Sequence, residues 1–292
     1  MPELPEVENT VRSLNKLIIG SRIKKVWTDA PKLVRRGSFE ELKKGIKNRK
    51  IINVKRRAKN IILSLEGGYA LLIHLKMTGH FLIGKWEIKK NDGKETAVSL
   101  LKGALSEKVN DYIHIIFYLD DGREIALSDL RKFVKLIFGK EDEIYKEKGI
   151  YDAGTEALEM KFSEFHSVVS KSHKNIKTLL MDQTKIAGIG NIYSDDILFR
   201  AKIHPLRNAS SLSGGEIKKL YASIKEVLSL AIRLGGTSIS DYRNVKGEKG
   251  SYGEQRLVYR RDGKPCPRCK TPIKRIKIGS RSARFCPSCQ SL

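Results

Sequence analysis

All four cysteines of this 292-residue chain fall in its last 27 positions, as Cys266-x2-Cys269 and Cys286-x2-Cys289 with sixteen residues between the pairs. Two close thiolate pairs on two β turns supply the four tetrahedral ligands that zinc prefers, so the spacing predicts one structural zinc. Reduced or redox-active cysteines are the competing reading, but they do not require two matched knuckles. Four cysteines confined to a tail cannot staple the rest of the chain with disulfides. They place the protein in a reducing compartment, with a cytoplasmic location expected.

The tail is also where the charge lies. Lys and Arg number 57 against 33 Asp and Glu, a formal net charge of +24, and the 50 residues from Arg243 to Leu292 carry +11 of it. With 40% hydrophobic residues the chain has enough apolar surface for a real core, which excludes a disordered basic tail. A surplus of this size implies a polyanionic partner, because binding a phosphate backbone releases its counterions. No run of 18 apolar residues is present, and the opening MPELPEVENTVR carries three glutamates where a signal peptide needs a basic and then an apolar stretch. Nucleic acid is therefore expected as the partner, with no membrane.

The opening residues predict a helix: Pro5 suits its first turn, Val7, Val11, Leu14 and Ile18 recur at helical spacing, and Gly20 can end it. From Arg22 to Phe138 the pattern shifts to short β-rich runs such as NIILSL and YIHIIFYL, broken by turns at Glu66-Gly67-Gly68 and Asp120-Asp121-Gly122. This predicts an antiparallel sandwich or barrel. A capping box at Ser38 and Glu41 starts a short helix that Gly45 is expected to stop. The stretch Lys85 to Asn110 is polar and poorly periodic, and reads as an extended surface loop or a disordered insertion. After Gly149 the period becomes helical, with helices expected at about 162–171, 175–183, 191–200 and 213–234. Ser213 and Glu216 cap the last of them. Residues 235–254, rich in Gly, Ser and charge, read as a loop, and a short β unit bearing the cysteines follows.

The N-terminus admits two readings. If Met1 is removed, Pro2 becomes a free secondary amine; such a group titrates near ~8, so a useful fraction is nucleophilic at neutral pH. Glu3 and Glu6 would then supply an acid and a neighbouring carboxylate. On the bland reading, Pro-Glu-x-Pro-Glu is only a helix start with acidic residues on its dipole.

Taken together and in order, MPELPEVE, HLKMTGH at 74–80, DLRKF at 129–133, AGIGNIYSDDILF at 187–199 and the ribbon ending RSARFCPSC resemble the formamidopyrimidine-DNA glycosylase family over nearly the whole chain. ELPEV is similar to that branch and not to the sister endonuclease VIII branch, whose start typically reads EGPE. The resemblance implies an α+β multidomain fold: an N-terminal antiparallel β-sandwich flanked by helices over residues 2–148, a linker over 149–160, a helix-two-turn-helix domain over 161–254 with a lesion-contacting loop at 235–254, and a four-cysteine zinc finger over 255–292. It implies a monomeric bifunctional glycosylase and AP lyase of base excision repair, acting on damaged double-stranded DNA. The lesions would be oxidised purines, 8-oxoguanine and formamidopyrimidines.

Carried over motif by motif, the resemblance makes Pro2 the nucleophile, Glu3 the acid that assists sugar-ring opening, Glu6 a supporting carboxylate and Lys59 a phosphate contact. His74, Lys177, Asn191 and Arg281 would complete the clamp on the DNA backbone. Met77, Arg131 and Phe133 would fill the hole left by an everted nucleotide. The chain departs from the family pattern at Ala58 and Val134, where glycine is usual, and at GIYDAGTEAL in place of the linker's GPEP. Two alternatives stay open: an endonuclease VIII-like glycosylase for oxidised pyrimidines, and a catalytically silent protein that binds damaged DNA.

Overall fold

Alternate residues of the β-rich runs are apolar on both faces, so each sheet must be covered twice, and the architecture follows from that requirement. A computed structural model describes residues 1–238 and 241–292, with Asn91 described by its backbone alone. The chain divides into two units, residues 1–151 with 235–251, and residues 152–234 with 252–292. The first unit contains α1 (Leu4–Ile18), β1 (Ile23–Thr28), β2 (Val34–Arg36), α2 (Phe39–Ile46), β3 (Ile51–Arg57), β4 (Asn60–Leu65), β5 (Tyr69–His74), β6 (His80–Gly84), β7 (Trp86–Asn91), β8 (Lys94–Ser99), β9 (Ile113–Leu119), β10 (Glu124–Ser128), β11 (Lys135–Lys140) and α3 (Glu141–Ile144).

Two sheets form, β1-β9-β10-β6 and β2-β11-β5-β4-β3, antiparallel except for the β2–β11 pair. Ile61, Leu63, Leu65, Leu71 and Ile73 from one sheet share a core with Ile115, Phe117, Leu119, Ile125 and Leu127 from the other, and Val7, Val11, Leu14 and Ile18 of α1 join it. The opposite face of the five-stranded sheet puts Ile62, Ala70, Leu72 and Ile137 against Ile144 and Ile150. That of the four-stranded sheet buries Trp27, Leu82, Ile116 and Ala126 with Trp86 and Ala97. α1 is fixed to β3 by the Asn15 carboxamide, which exchanges hydrogen bonds with both backbone groups of Val54, and by Glu8, which pairs with Arg56 at 2.7 Å.

Three expectations are corrected in the first unit. The stretch 85–110 is ordered: β7 and β8 pair from Trp86–Ser99 to Asn91–Lys94, and short 3-10 turns follow at Gly103–Ser106 and Lys108–Asn110. Its inward apolar side chains are few and spaced among lysines, which hides the strand signal. Gly45 does not stop α2, which continues through Ile46; it is glycine because a Cβ would stand 2.3 Å from the Phe138 ring. Residues 235–251, attached to the helical segment in the sequence reading, belong with the first unit, and Thr237, Tyr242, Arg243 and Val245 are buried there.

The second unit holds β12 (Thr155–Glu156), α4 (Phe162–Ser170), α5 (Ile176–Leu180), β13 (Ile186–Ala187), α6 (Asn191–Ala201), α7 (Gly214–Arg233), α8 (Tyr252–Gln255), β14 (Lys274–Ile278) and β15 (Arg281–Phe285). Leu220, Ile224, Val227 and Ala231 of α7 are buried along one face, and its Ser213–Glu216 capping box is formed. In the 149–160 segment, Thr155 and Glu156 pair in parallel with Ile186 and Ala187. α5 ends at Leu180, ahead of the expected 183, where the Asp182 carboxylate accepts from the Thr184 N–H and starts a turn. No described helix is long and apolar enough to cross a membrane.

The Gly45 contact yields a test. Alanine is the better helix former, yet Gly45→Ala is expected to destabilise the first unit by roughly 1–3 kcal/mol, because the Phe138 ring, stacked on Tyr69, has little room to yield. Urea denaturation of the two proteins measures it.

Candidate active site

Helix α1 begins at the second residue after Pro2, and Pro2, Glu3 and Glu6 are all buried at its start. Glu3 and Glu6 form a reciprocal capping box in which the Glu3 N–H donates to Glu6 Oε2 at 2.8 Å. The other Glu6 oxygen accepts from the Thr237 N–H at 2.7 Å, and the Glu6 carbonyl accepts from the Tyr242 hydroxyl at 3.1 Å. Gly236, at φ +81°, permits this approach, since a Cβ there would lie 2.8 Å from Glu6 Oε1. Burial, with the Glu6 charge beside it, pushes the Tyr242 phenol well above its usual range, so it remains a donor. One carboxylate thus fixes the N-terminus and the start of the 235–251 loop.

Lys59 follows Ala58 in the β3–β4 turn. Ala58 sits at φ +52°, a left-handed conformation that explains the glycine usual in the family, and its carbonyl is held by the Arg56 guanidinium at 3.1 Å. His74 closes β5, opposite Asn60 on one side and Lys135 on the other. Its pKa falls to about 3, through burial first and then the charges of Lys76, Lys59 and Lys135. The ring is neutral, and Nδ1 accepts from the Lys76 N–H at 2.9 Å, so Nε2 carries the proton and is a donor.

Met77, Arg131 and Phe133 come together at an exposed tip. Arg131 Nη1 lies 3.1 Å from Met77 Sδ, and its guanidinium stands 4.4 Å from the Phe133 ring centroid. The group is held from below by Asp129, fully buried, whose carboxylate accepts from the Thr78 hydroxyl and from the N–H groups of Arg131, Phe133 and Val134. Val134 fills the place of the usual glycine because it is buried against Gly79, where a Cβ would stand 2.4 Å from Val134 Cγ2.

Of the residues in the second unit, Arg281 is exposed at the start of β15 and lines a cleft of about 330 Å³ with Thr178, Asp182 and Lys177. The Lys177 ammonium is buried, ion-paired to Asp195 and 3.2 Å from the Ser194 hydroxyl. Asn191 opens α6 behind Gly188 and Gly190, and its Oδ1 is buried without a hydrogen-bond partner among the described residues. Gln183 shapes this turn by accepting from the Gly188 N–H and donating to the Ile189 carbonyl.

Sγ of Cys266, Cys269, Cys286 and Cys289 lie within 4.8 Å of one another, with separations of 3.9 Å for Cys266–Cys289 and 3.4 Å for Cys269–Cys286. Zinc–sulfur bonds of ~2.3 Å arranged tetrahedrally put sulfurs ~3.8 Å apart, so the four fit one structural zinc. Of the basic residues on the β14–β15 hairpin, Lys274, Arg275, Lys277 and Arg281 face solvent, whereas Arg284 is turned inward onto Asp262 at 3.1 Å. Sequence reasoning missed Asp129, Asp195 and Asp196. Asp196 accepts from the Tyr252 hydroxyl and the N–H groups of Leu257, Val258 and Tyr259, and Asp195 accepts from the Arg284 N–H. Burial pushes both carboxyls up, and these donors oppose it. The signal that could have found this pair is two adjacent acids in the middle of α6, flanked by Tyr193 and by Ile197, Leu198 and Phe199.

Three family models match the chain: the formamidopyrimidine-DNA glycosylase N-terminal domain over residues 1–136, the same family's H2TH domain over 153–243, and a zinc finger found in FPG and IleRS over 263–292. A formamidopyrimidine-DNA glycosylase of Pelotomaculum thermopropionicum is 38% identical over 294 residues, covering all of both chains. The Lactococcus lactis Fpg bound to abasic-site DNA superposes with a TM-score of 0.85 at 32% identity, over 99% of this chain and 100% of that one. The same L. lactis enzyme bound to DNA containing N7-benzyl-Fapy-dG also gives 0.85 at 32% identity, covering both chains fully.

Two outcomes follow from the geometry. Metal analysis is expected to find one zinc per chain, lost in Cys269→Ser; protease sensitivity should then rise near residues 199–203, where Arg268 and Gln290 of the knuckles bind the backbone. Between pH ~6.5 and 3 the unfolded chain protonates His74 and the folded one does not. Stability from this residue is therefore complete above pH ~6.5 and lost progressively as pH falls toward 3, and His74→Gln should flatten that part of a pH–stability curve.

Proposed function

Because the chain belongs to the formamidopyrimidine-DNA glycosylase family, we propose that Pro2, freed by removal of Met1, is the nucleophile of a DNA glycosylase with AP lyase activity that removes oxidised purines in base excision repair. The carrying observation is the buried Pro2-Glu3 pair whose backbone is fixed by Glu6. An amine at the end of a capped helix is held in place without a flexible side chain, so little entropy is lost in bringing it to a sugar carbon.

In the proposed reaction the Pro2 nitrogen bonds to C1′ of the damaged nucleotide as the bond from C1′ to the base breaks, and the base leaves with a proton. Glu3 donates a proton to the ring oxygen, the sugar opens, and nitrogen and C1′ become an iminium. This electron sink acidifies C2′. Loss of a C2′ proton expels the 3′ phosphate, and a second elimination expels the 5′ phosphate. Zinc, bound by the four cysteines, supplies structure to the β14–β15 hairpin.

Lys59, His74, Asn191 and Arg281 are read as the phosphate contacts, with Lys177 holding α6 in place through Asp195. The Met77–Arg131–Phe133 tip is read as entering the hole left by the extruded nucleotide, with Arg131 facing the orphaned base. The 235–251 loop is read as covering the everted base; Ser240 within it lies outside the described residues. The place of action is where the DNA is, cytoplasmic and nucleoid-associated.

Borohydride reduction on an 8-oxoguanine duplex is expected to trap the processed enzyme covalently through Pro2, as seen by intact-mass and peptide analysis. A trappable, active protein that retains Met1 would refute the assignment, because its proline nitrogen is an amide. The two kinds of phosphate contact separate by salt. Arg281→Ala is expected to lower the slope of log K against log salt by roughly 0.9, whereas His74→Ala should weaken binding with the slope unchanged, since a neutral donor releases no counterion.

A further inference from the structure

The 103–110 segment takes no part in the reaction above, yet it grips the 235–251 loop. Gly247, at φ +82°, lies so close that a Cβ would stand 2.9 Å from the Ala104 carbonyl and from Asn110 Nδ2. Asn244 makes this contact rigid: its side-chain oxygen accepts from the N–H groups of Lys246 and Glu248, and closes the turn that carries Gly247. Asn110 is fully buried, and its Nδ2 donates to the Ala104 carbonyl at 2.6 Å and to the Gly247 carbonyl at 3.5 Å. Asn110 Oδ1 is 2.9 Å from His80 Nε2, and His80 Nδ1 is 3.2 Å from the carbonyl of Thr78, whose hydroxyl sits on Asp129. Through His80, Asn110 therefore links the loop to Thr78, next to Met77, and Thr78 to the Asp129 that holds Arg131.

A second route starts at Glu107. It pairs with buried Arg243 at 3.5 Å; Arg243 donates to the Tyr242 carbonyl at 2.9 Å, and the Tyr242 hydroxyl reaches the Glu6 carbonyl. The loop is also stitched to the sheet, where the Ile83 N–H donates to the Val245 carbonyl at 2.8 Å. What remains for 103–110 to decide is the setting of residues 242–247, which reach Glu6 through Tyr242 and Thr78 through Asn110 and His80. The segment is itself anchored, since Leu105 packs into the core that Trp27 and Trp86 form.

We propose that Glu107 and Asn110 are positioning residues that keep the base-covering loop in register with the hole-filling tip, so that capture of an everted base depends on the 85–110 segment. The proposal rests on the reading of 235–251 as the loop over the base. A preformed abasic site has no base to capture, and its cleavage needs only the N-terminal machinery.

The test uses the full processed chain with Glu107→Ala, Asn110→Ala and, as a change in the loop itself, Ser238→Ala, which removes the acceptor of the Gly250 N–H. Single-turnover rates are measured on an 8-oxoguanine duplex and on an abasic duplex. Loss of one such hydrogen bond is expected to slow 8-oxoguanine excision by roughly fivefold in each variant, well beyond any loss on abasic DNA. Hydrogen exchange of Glu107→Ala and Asn110→Ala should accelerate in 241–251 and stay unchanged in α1. If Ser238→Ala is selective and the other two variants lose equally on both substrates, the positioning role is overturned and the reading of the loop stands. Equal losses in all three overturn both. Unchanged exchange in 241–251 overturns the proposal whatever the rates, because the loop would then not depend on these two residues.

Discussion

A carboxylate withdrawn from water must be given hydrogen-bond donors, and in this protein three buried carboxylates take theirs largely from the backbone of segments that form neither helix nor extended strand. Glu6 accepts from the N–H groups of Glu3 and Thr237, Asp129 from those of Arg131, Phe133 and Val134, and Asp196 from those of Leu257, Val258 and Tyr259. Bonds from amides to a charged acceptor are stronger than neutral ones, and leaving such a charge unmet is costly. Each acid therefore organises a stretch of chain that has no ladder of its own. Those stretches are the N-terminus, the tip, and the path into the zinc ribbon.

The same logic sorts the cations. A surplus of +24 marks a polyanion-binding chain, but it does not say which lysines and arginines meet the partner. Lys177, Arg243 and Arg284 are buried and joined to Asp195, Glu107 and Asp262, whereas Lys274, Arg275, Lys277 and Arg281 face solvent on the zinc-bound hairpin. The inward cations build the frame that displays the outward ones. His74 belongs to neither class: surrounded by lysines it stays neutral, and offers a proton without a charge.

The segment 85–110 acquires its role by packing. The outer face of the four-stranded sheet exposes Trp27, Leu82 and Ile116 to whatever covers it, and β7–β8 does so with Trp86 and Ala97. Once covered, that face also fixes the 3-10 turns beyond the hairpin. These turns meet Gly247, a position whose positive φ and close backbone approach only glycine tolerates without strain.

The sequence by itself determined the elements whose signal is local: α1 and its proline start, the capping boxes at Ser38–Glu41 and Ser213–Glu216, and the zinc ligands, which stand as two pairs each three residues apart. It also named the members of the candidate site by motif. Only the tertiary structure decided that 85–110 is a hairpin, that Gly45 answers to Phe138 and not to a helix end, that residues 235–251 join the first unit through Glu6, and that Lys177 turns inward to Asp195. Each of these depends on a partner far away in sequence. Burial and pairing are set by which surface a residue meets, and a side chain's own chemistry does not specify that surface.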